Sequence, residues 1–401
     1  MKLLQDERGQ TIILAALCFS LLLGFVALAV DVGLMFRARR VMQTAADSAA
    51  IAGAEELNYG DVTTAARADA ARNGVTNGTN GATVTVNNPP LHGPYTRNAG
   101  YVEVIVSQSQ ATYFMNILSR GSMTVSGRAV AALGTTGNCV YTLNPSGTDI
   151  LLSGGVNVQI PGCAIYDDSS SATALTISGA STLNAKAINL VGNFTNSWST
   201  LTPTPTVGIA YVSDPLAFLP APSFNSSSCV ANPNLGGGGT FTIGPSTAGG
   251  TICYNGLQIG NGAKVTFKPG LYIINGALTV NGGSPVTGTG VTFYFPVGGS
   301  LNFSNGATFN LTAPTSGTYD GILFYQNRSN STAVSIQGGT TSTLAGILYF
   351  PDANLSLSGG SSTSLYTSVI ASSLTFTGGI TMKNYALVNS STPLTSARLV
   401  E

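Results

Sequence analysis

The chain has 401 residues, a formal net charge of zero and only 8% charged residues, against about 25% in an average globular domain. There is no basic excess to neutralise phosphates, which excludes a nucleic-acid binder. Apolar residues make up 43% of the chain and fall in short runs, which excludes a disordered one. With 49 glycines and abundant Ser, Thr and Asn, the composition points to a repetitive β architecture outside the cytosol.

No charged residue occurs between Gly9 and Val30. The apolar run that begins at Thr11 and closes at Val30 supplies the roughly 20 residues needed to cross a bilayer. A secretory signal peptide would have a shorter apolar core and a small-residue cleavage site just after it. Here Asp31-Val32-Gly33-Leu34-Met35-Phe36-Arg37 continues as helix instead, so the segment reads as a retained anchor, with residues 1–30 its cytoplasmic tip and span. The charge flanks are mixed. Lys2 and Arg8 stand beside Asp6 and Glu7 before the span, and Arg37, Arg39 and Arg40 follow it. Counting positive charges alone would turn the C-terminus inward.

Residues 32–57 hold no Pro and two Gly, and Leu34, Ala38, Val41, Ala45, Ser48 and Ala52 recur at helical spacing. This small-residue stripe suits either close helix contact in a membrane or packing on the protein's own domain. Asn58-Tyr59-Gly60 ends the helix, and Asp61 caps a second one over residues 62–72 that Asn73-Gly74 terminates.

The residues Arg8-Gly9-Gln10, Ala29-Val30-Asp31-Val32-Gly33 and Gln43-Thr44-Ala45-Ala46-Asp47-Ser48-Ala49-Ala50-Ile51-Ala52-Gly53-Ala54 together resemble the N-terminal module of TadG-like proteins of the Flp (Tad) pilus-assembly system. The resemblance covers about residues 5–58. It implies an inner-membrane anchor, a body outside the cytoplasm, and a part in building or attaching surface pili through contacts with other pilus-assembly or surface proteins. That implied topology, with the cysteines below, sets the orientation outward. Type IV pilins carry Glu at the fifth position after the cleaved Gly. Here Gln10-Thr11-Ile12-Ile13-Leu14 follows Gly9, which argues against prepilin-type cleavage.

Beyond the helices, residues 82–87 and 101–107 alternate as half-buried strands, residues 111–118 read as a short helix and 122–133 as a further strand, completing a small α+β unit over 31–134. His92, the sole histidine, has no Cys, Glu or second His at ligand spacing and reads as an exposed loop residue.

From Cys139 onward only 13 of 263 residues are charged. One class of strongly apolar segments starts at Leu271, Val291, Ile322, Ile347 and Ser368. A weaker class starts at Leu278, Leu301, Val334, Leu355 and Leu374. Turns such as Asn261-Gly262, Asn281-Gly282, Asn305-Gly306, Gly338-Gly339 and Gly359-Gly360 separate them. Two strands and Gly turns in a variable period of roughly 20–30 residues fit a right-handed parallel β-helix with short aliphatics inside. An antiparallel β-sandwich is the alternative. Within this 139–401 domain, Pro203, Pro205, Pro215, Pro220 and Pro222 mark residues 196–228 as an extended segment crossing the surface or leading into the main coils.

Cys18 lies in the apolar run. Cys139, Cys163, Cys229 and Cys253 are separated by 24 residues in each consecutive pair. Equal spacing favours two local disulfides over the other two connectivities, and four free buried thiols are the alternative. Paired, they place the distal part in an oxidising compartment.

No cofactor or metal is expected, and no catalytic residues are assigned. Asp149, Asp167, Asp168, Asp214, Asp320 and Asp352 are scattered, with Asp320 and Asp352 the best pair for a polysaccharide-cleaving site. The readings carried forward are a membrane-anchored, non-catalytic pilus-assembly or attachment protein, an envelope-tethered protein that binds or cleaves a polysaccharide, and a pilin-like subunit.

Overall fold

A computed structural model describes residues 10–58, 61–118, 121–135, 138–209, 211–212, 214–281, 283–304, 307–338, 342–358, 364–378, 380–383 and 395–401. Gly9, Tyr59-Gly60, Gly282, Asn305-Gly306, Gly339 and Gly359-Gly360 lie outside the described residues. The chain forms two compact units, Met1–Gly134 with Ser396–Glu401, and Thr135–Thr395. The last residues thus leave the β-rich domain that the sequence extends to 401.

In the first unit a helix α1 spans Gln10–Glu55. At 1.5 Å rise per residue its 46 residues extend about 69 Å. Its apolar N-terminal stretch is exposed, with Ile12 at 71% and Phe25 at 63%, and it is long and apolar enough to cross a membrane. Its C-terminal part buries Met42, Ala45, Ala46, Ala49, Ala50 and Ala54, positions spaced i, i+3, i+4, i+7, i+8 and i+12 along one helix face. These face an antiparallel sheet of β1 (Thr83–Asn87), β2 (Tyr101–Ala111) and β3 (Ser122–Thr135), packing on Val84, Val102, Val104, Val106, Ala129 and Ala131. Of the expected stripe only Ala45 is buried; Ala38, Ser48 and Ala52 are half-buried and Leu34 and Val41 exposed, so the packed face is rotated to Met42, Ala46, Ala49, Ala50 and Ala54. The C-terminal strand Thr395–Leu399 lies beside β3 as the fourth strand.

Helix α2 spans Val62–Arg72, with the Asp61 side chain accepting from the Thr64 amide and Asn73 as C-cap, as the capping residues indicate. The helix expected over 111–118 shrinks to a 3₁₀ turn at Met115–Leu118. Ala111 still pairs with Ser122, and the amides of Tyr113, Phe114 and Met115, which lead into the turn, are taken by a side chain described below.

The second unit is a parallel β-solenoid in which each coil contributes to three ladders. The first ladder joins Thr251–Asn255, Gly270–Ile274, Val291–Phe295 and Ile322–Gln326, then the middles of Thr343–Ser358 and Ser364–Phe376. The second joins Leu257–Ile259, Ala277–Val280, Ser300–Phe303 and Val334–Gln337, then the ends of those two long strands. The two apolar segment classes map onto these two ladders in register, with Leu278 opposite Leu301 and Val334 opposite Leu355. Each of these pairings is parallel, which discards the antiparallel sandwich.

The third ladder has no counterpart among the two expected classes. It joins Thr240–Ile243, Lys264–Phe267, Pro285–Thr289 and Thr308–Thr312. The last three of these strands bury two residues each among Thr, Asn and Lys, for example Val265 with Phe267 and Phe309 with Leu311, while Thr240–Ile243 at the end of the stack buries none. The interior is also more aromatic than the short aliphatics expected. Tyr272, Phe293, Phe324 and Phe350 stack through successive coils with ring centroids 5.1, 5.6 and 6.3 Å apart. At the turn before the third ladder Asn261 and Gly262 both take positive φ, 53° and 74°, a backbone that Asn-Gly adopts most readily.

The coils do not stack in simple chain order. Asn138–Thr142 pairs with Ser364–Phe376 on one side and with Asn157–Asp167 on the other. The coils of residues 138–207 therefore follow the last coil of the chain, and residue 229 onward begins at the opposite end of the stack.

Candidate functional site

Two places concentrate polar side chains with specific partners. The first is α1 where it emerges from its apolar run. Asp31 is fully buried, and its carboxylate accepts from the backbone amides of Tyr113 (3.0 Å), Phe114 (2.9 Å) and Met115 (2.7 Å). Twelve residues on, Gln43 clamps β3. Its side-chain amide donates to the Arg128 carbonyl at 2.9 Å and to Asp47 at 2.7 Å, while its oxygen accepts from the Arg128 amide at 3.3 Å. The helix can approach this closely because position 127 is Gly, where a Cβ would sit 2.5 Å from the Gln43 backbone nitrogen.

At Gly53 a Cβ would meet Val102, Ala66 and Val62 at 3.1–3.4 Å, so the helix end lies between β2 and α2. Ala49, Ala50 and Ala54 are buried and Ala52 is half-buried. At Gly33 a Cβ would meet nothing within 4 Å, and Val30 is exposed. The Thr11 side chain lies outside the described residues.

His92 is 63% exposed, as its loop position indicates, but it is not isolated. Its Nδ1 lies 3.2 Å from Glu103, whose side chain is closed to solvent. Glu103 also accepts from Arg128 Nε at 2.6 Å, Asn87 at 2.8 Å and the Leu91 amide at 3.0 Å. Burial opposes ionisation of Glu103, but these donors outweigh it and hold its pKa down to about 2. Arg128 pairs in addition with Glu401 at 2.8 Å, which ties the end of the chain to β3.

The second place is the outer face of the first ladder. Tyr294, Tyr325, Tyr349, Ile370 and Tyr141 occupy one register column, with adjacent tyrosine rings 5.1 and 5.2 Å apart. They are nearly closed to solvent, Tyr325 and Tyr349 completely. What covers them is the Pro-rich segment, which runs along the stack as a strap. The Val212 amide donates to Asp168 at 3.0 Å. Tyr349 donates to Asp214 at 2.6 Å, Tyr325 to the Leu219 carbonyl at 3.2 Å and Tyr319 to the Pro220 carbonyl at 3.2 Å.

Arg328 fastens the strap midway. It donates to the carbonyls of Leu216 and Leu219, lies 3.7 Å from Asp214, and sits over the Tyr349 and Tyr325 rings at 5.3 and 5.8 Å. Burial pushes the Tyr325 hydroxyl up to about 12 and Tyr349 higher still, so these tyrosines serve as neutral donors and apolar packing. The proline run was legible as an extended surface segment. Arg328 was not, because its partners lie about 110 residues away.

The cysteines are joined as Cys139–Cys163 and Cys229–Cys253, with Cα atoms 5.3 and 4.5 Å apart. Asp149, Asp167 and Asp168 are buried near one another at a solenoid corner. Burial, then the charge of Asp167, raises Asp149 to about 8, and burial raises Asp167 and Asp168 to about 6. Asp320 and Asp352 are not brought together. Asp320 precedes Ile322–Gln326, and Asp352 lies past the opposite end of that strand's register, beyond Tyr349 opposite Tyr325. Among the described residues no three His, Cys, Asp or Glu side chains converge on a common point.

Comparison with known families places residues 9–56 in the Tad family model, described as "Putative Flp pilus-assembly TadE/G-like". No curated protein and no solved structure matches the chain.

Proposed function

Residues 9–56 of this chain are a TadE/G-like module of the Flp pilus-assembly type, and from that premise we propose that the protein is a membrane-anchored, non-catalytic component of Flp-type pilus assembly or surface attachment. It acts through protein–protein contacts of the β-solenoid that the module tethers. The observation that carries this reading is the use the fold makes of the module. Asp31 and Gln43 bind backbone of the α+β unit directly, so the apolar helix and the folded unit are built as one anchor.

One apolar N-terminal helix with a Tad module fits a single-pass membrane protein. The proposed location is the bacterial cytoplasmic membrane, with the solenoid outside the cytoplasm. The two cysteine pairs support that side, since disulfides persist in oxidising compartments. The solenoid carries few charges and many Thr, Ser and Asn, which suits contact with a neutral protein surface. The polysaccharide-cleaving reading finds no support in the placement of Asp320 and Asp352.

The test is deletion of the gene, followed by counting surface pili by electron microscopy and measuring attachment. Loss of both, restored by the full chain and equally by a full chain carrying Asp320→Asn and Asp352→Asn, is expected. Unchanged pilus number and attachment after deletion would reject the assembly role. Failure of the Asn variant alone to restore attachment would favour the catalytic reading. Protease digestion of spheroplasts checks the orientation, with cleavage beyond residue 40 expected.

A further inference from the structure

The end of the apolar run is bonded to a second apolar element. Asp31 follows Val30 directly, and its carboxylate holds the amides of Tyr113, Phe114 and Met115. A run of 20 helical residues matches a hydrocarbon core of about 30 Å, so the core ends within a few ångströms of Asp31. The three hydrogen bonds fix the turn that ends at Leu118 to that same level. Yet Tyr113 is 69% and Phe114 44% exposed. Aromatic side chains held at this depth are what membrane interfaces select, because one end of the ring system is apolar and the other tolerates water.

A groove of about 510 Å³ lies beside the turn, between α1 and β3, lined by Leu28, Val32, Phe36, Met115 and Met123 among others, with Arg39. It starts at Leu28, inside the apolar run, so its wall is continuous with the surface that faces lipid. Phe36 is 65% and Met123 42% exposed. Arg37, Arg39 and Arg40 are exposed on the next turns of α1, about 10–15 Å past Val30 by helical rise, and their long side chains can reach back toward the headgroup layer.

We propose that the turn carrying Tyr113 and Phe114, with the adjoining groove, is a second membrane contact of the anchor unit and is seated in the interfacial layer of a phospholipid bilayer. The proposal rests on α1 spanning the membrane. The turn then acts as a shoulder. It stops α1 from sliding inward and limits the tilt of the folded unit, and the groove takes a lipid acyl chain.

The experiment uses the full chain in lipid nanodiscs with single tryptophan reporters. Trp198, 96% exposed, is replaced by Phe, and Phe114→Trp or Tyr113→Trp is introduced, with Phe19→Trp as the span control. Brominated phospholipids then quench any reporter they reach. Loss of emission and a blue shift for the residue 113 and 114 reporters, greatest with bromine near the headgroup, are the expected result. Quenching at position 19 with water-like, unquenched emission at both 113 and 114 would overturn the second contact and leave the span intact. No quenching at position 19 would instead reject the span. Reporters at 113 and 114 shielded from both bromolipid and aqueous acrylamide would place a protein, such as a second copy, on this face and would also overturn the proposal.

Discussion

Single residues show most clearly how the fold handles its few charges. The buried acids of the solenoid have opposite consequences from Glu103. Glu103 is held ionised by donors. Asp149 is raised to about 8 by burial and by Asp167, against donation from Asn144, with Asp168 adding to the repulsion. An ordinary unfolded Asp titrates near 3.9, so the folded state binds this proton more tightly. Its stabilising contribution is therefore complete below about pH 4 and is lost as pH rises through about 8. Asp167 and Asp168 act in the same sense through about 6. Asp149→Asn keeps the shape and removes the charge. It is expected to flatten the decline of solenoid stability with pH and to raise Tm at pH 8.5 by about 2–4 °C, the shift that about 1 kcal/mol brings in a domain of this size. Little change is expected at pH 4. Thermal melts across pH 4–9 check this, and a variant whose pH slope matches that of the unmodified chain would count against it.

At the scale of elements, legibility in the sequence followed how locally each signal is written. The first ladder was readable because Val291–Phe295 and Ile322–Gln326 are buried along their whole length, covered inside by the core and outside by the strap. The third ladder was not, since two buried apolar residues among threonines look like a turn. The stacking of Asn138–Thr142 on Ser364–Phe376 leaves no local trace, because the paired residues are about 230 positions apart. The same holds for Asp31 and Gln43, which stood out in the sequence while their partners at 113–115 and 128 could not be seen. The strap was legible as a proline-rich crossing but not as a clamped element. Arg328 holds it through a planar, multidentate set of contacts that a lysine cannot copy. Hydrogen bonds to a charged group are each worth about 1.5–3 kcal/mol, and a third of this side chain is exposed, so the low end applies. Arg328→Met and Arg328→Lys are both expected to speed proteolytic cutting between residues 208 and 224 and to lower Tm by a few degrees. Unchanged cutting in both variants would show that the tyrosine column and prolines hold the strap unaided.

Taken as a whole, the solenoid is a one-dimensional stack whose coils contact their neighbours, and such stacks fray from their ends. The middle coils are secured by the aromatic column from Tyr272 to Phe350. The ends have smaller inward residues, and the two disulfides are placed toward them. Cys229–Cys253 ties residue 229 to the strand Thr251–Asn255 at one end, and Cys139–Cys163 joins neighbouring coils toward the other. The strap links both regions, from Asp168 to Cys229, across eight ladder steps of about 4.8 Å, or roughly 38 Å. Each disulfide closes a sequence separation of 24, which by loop-closure entropy corresponds to about 3.5 kcal/mol. Thiol titration of the unfolded, unreduced protein is therefore expected to find one reactive cysteine, Cys18, and five after reduction. Reduction of the folded protein is expected to lower Tm and to speed amide exchange first in the coils near residues 138–167 and 229–259, with Val291–Phe295 and Ile322–Gln326 exchanging last. Five thiols titrating without reductant, or exchange that rises first in the middle coils, would show that the ends are held by packing alone and would remove the chemical support for an oxidising compartment.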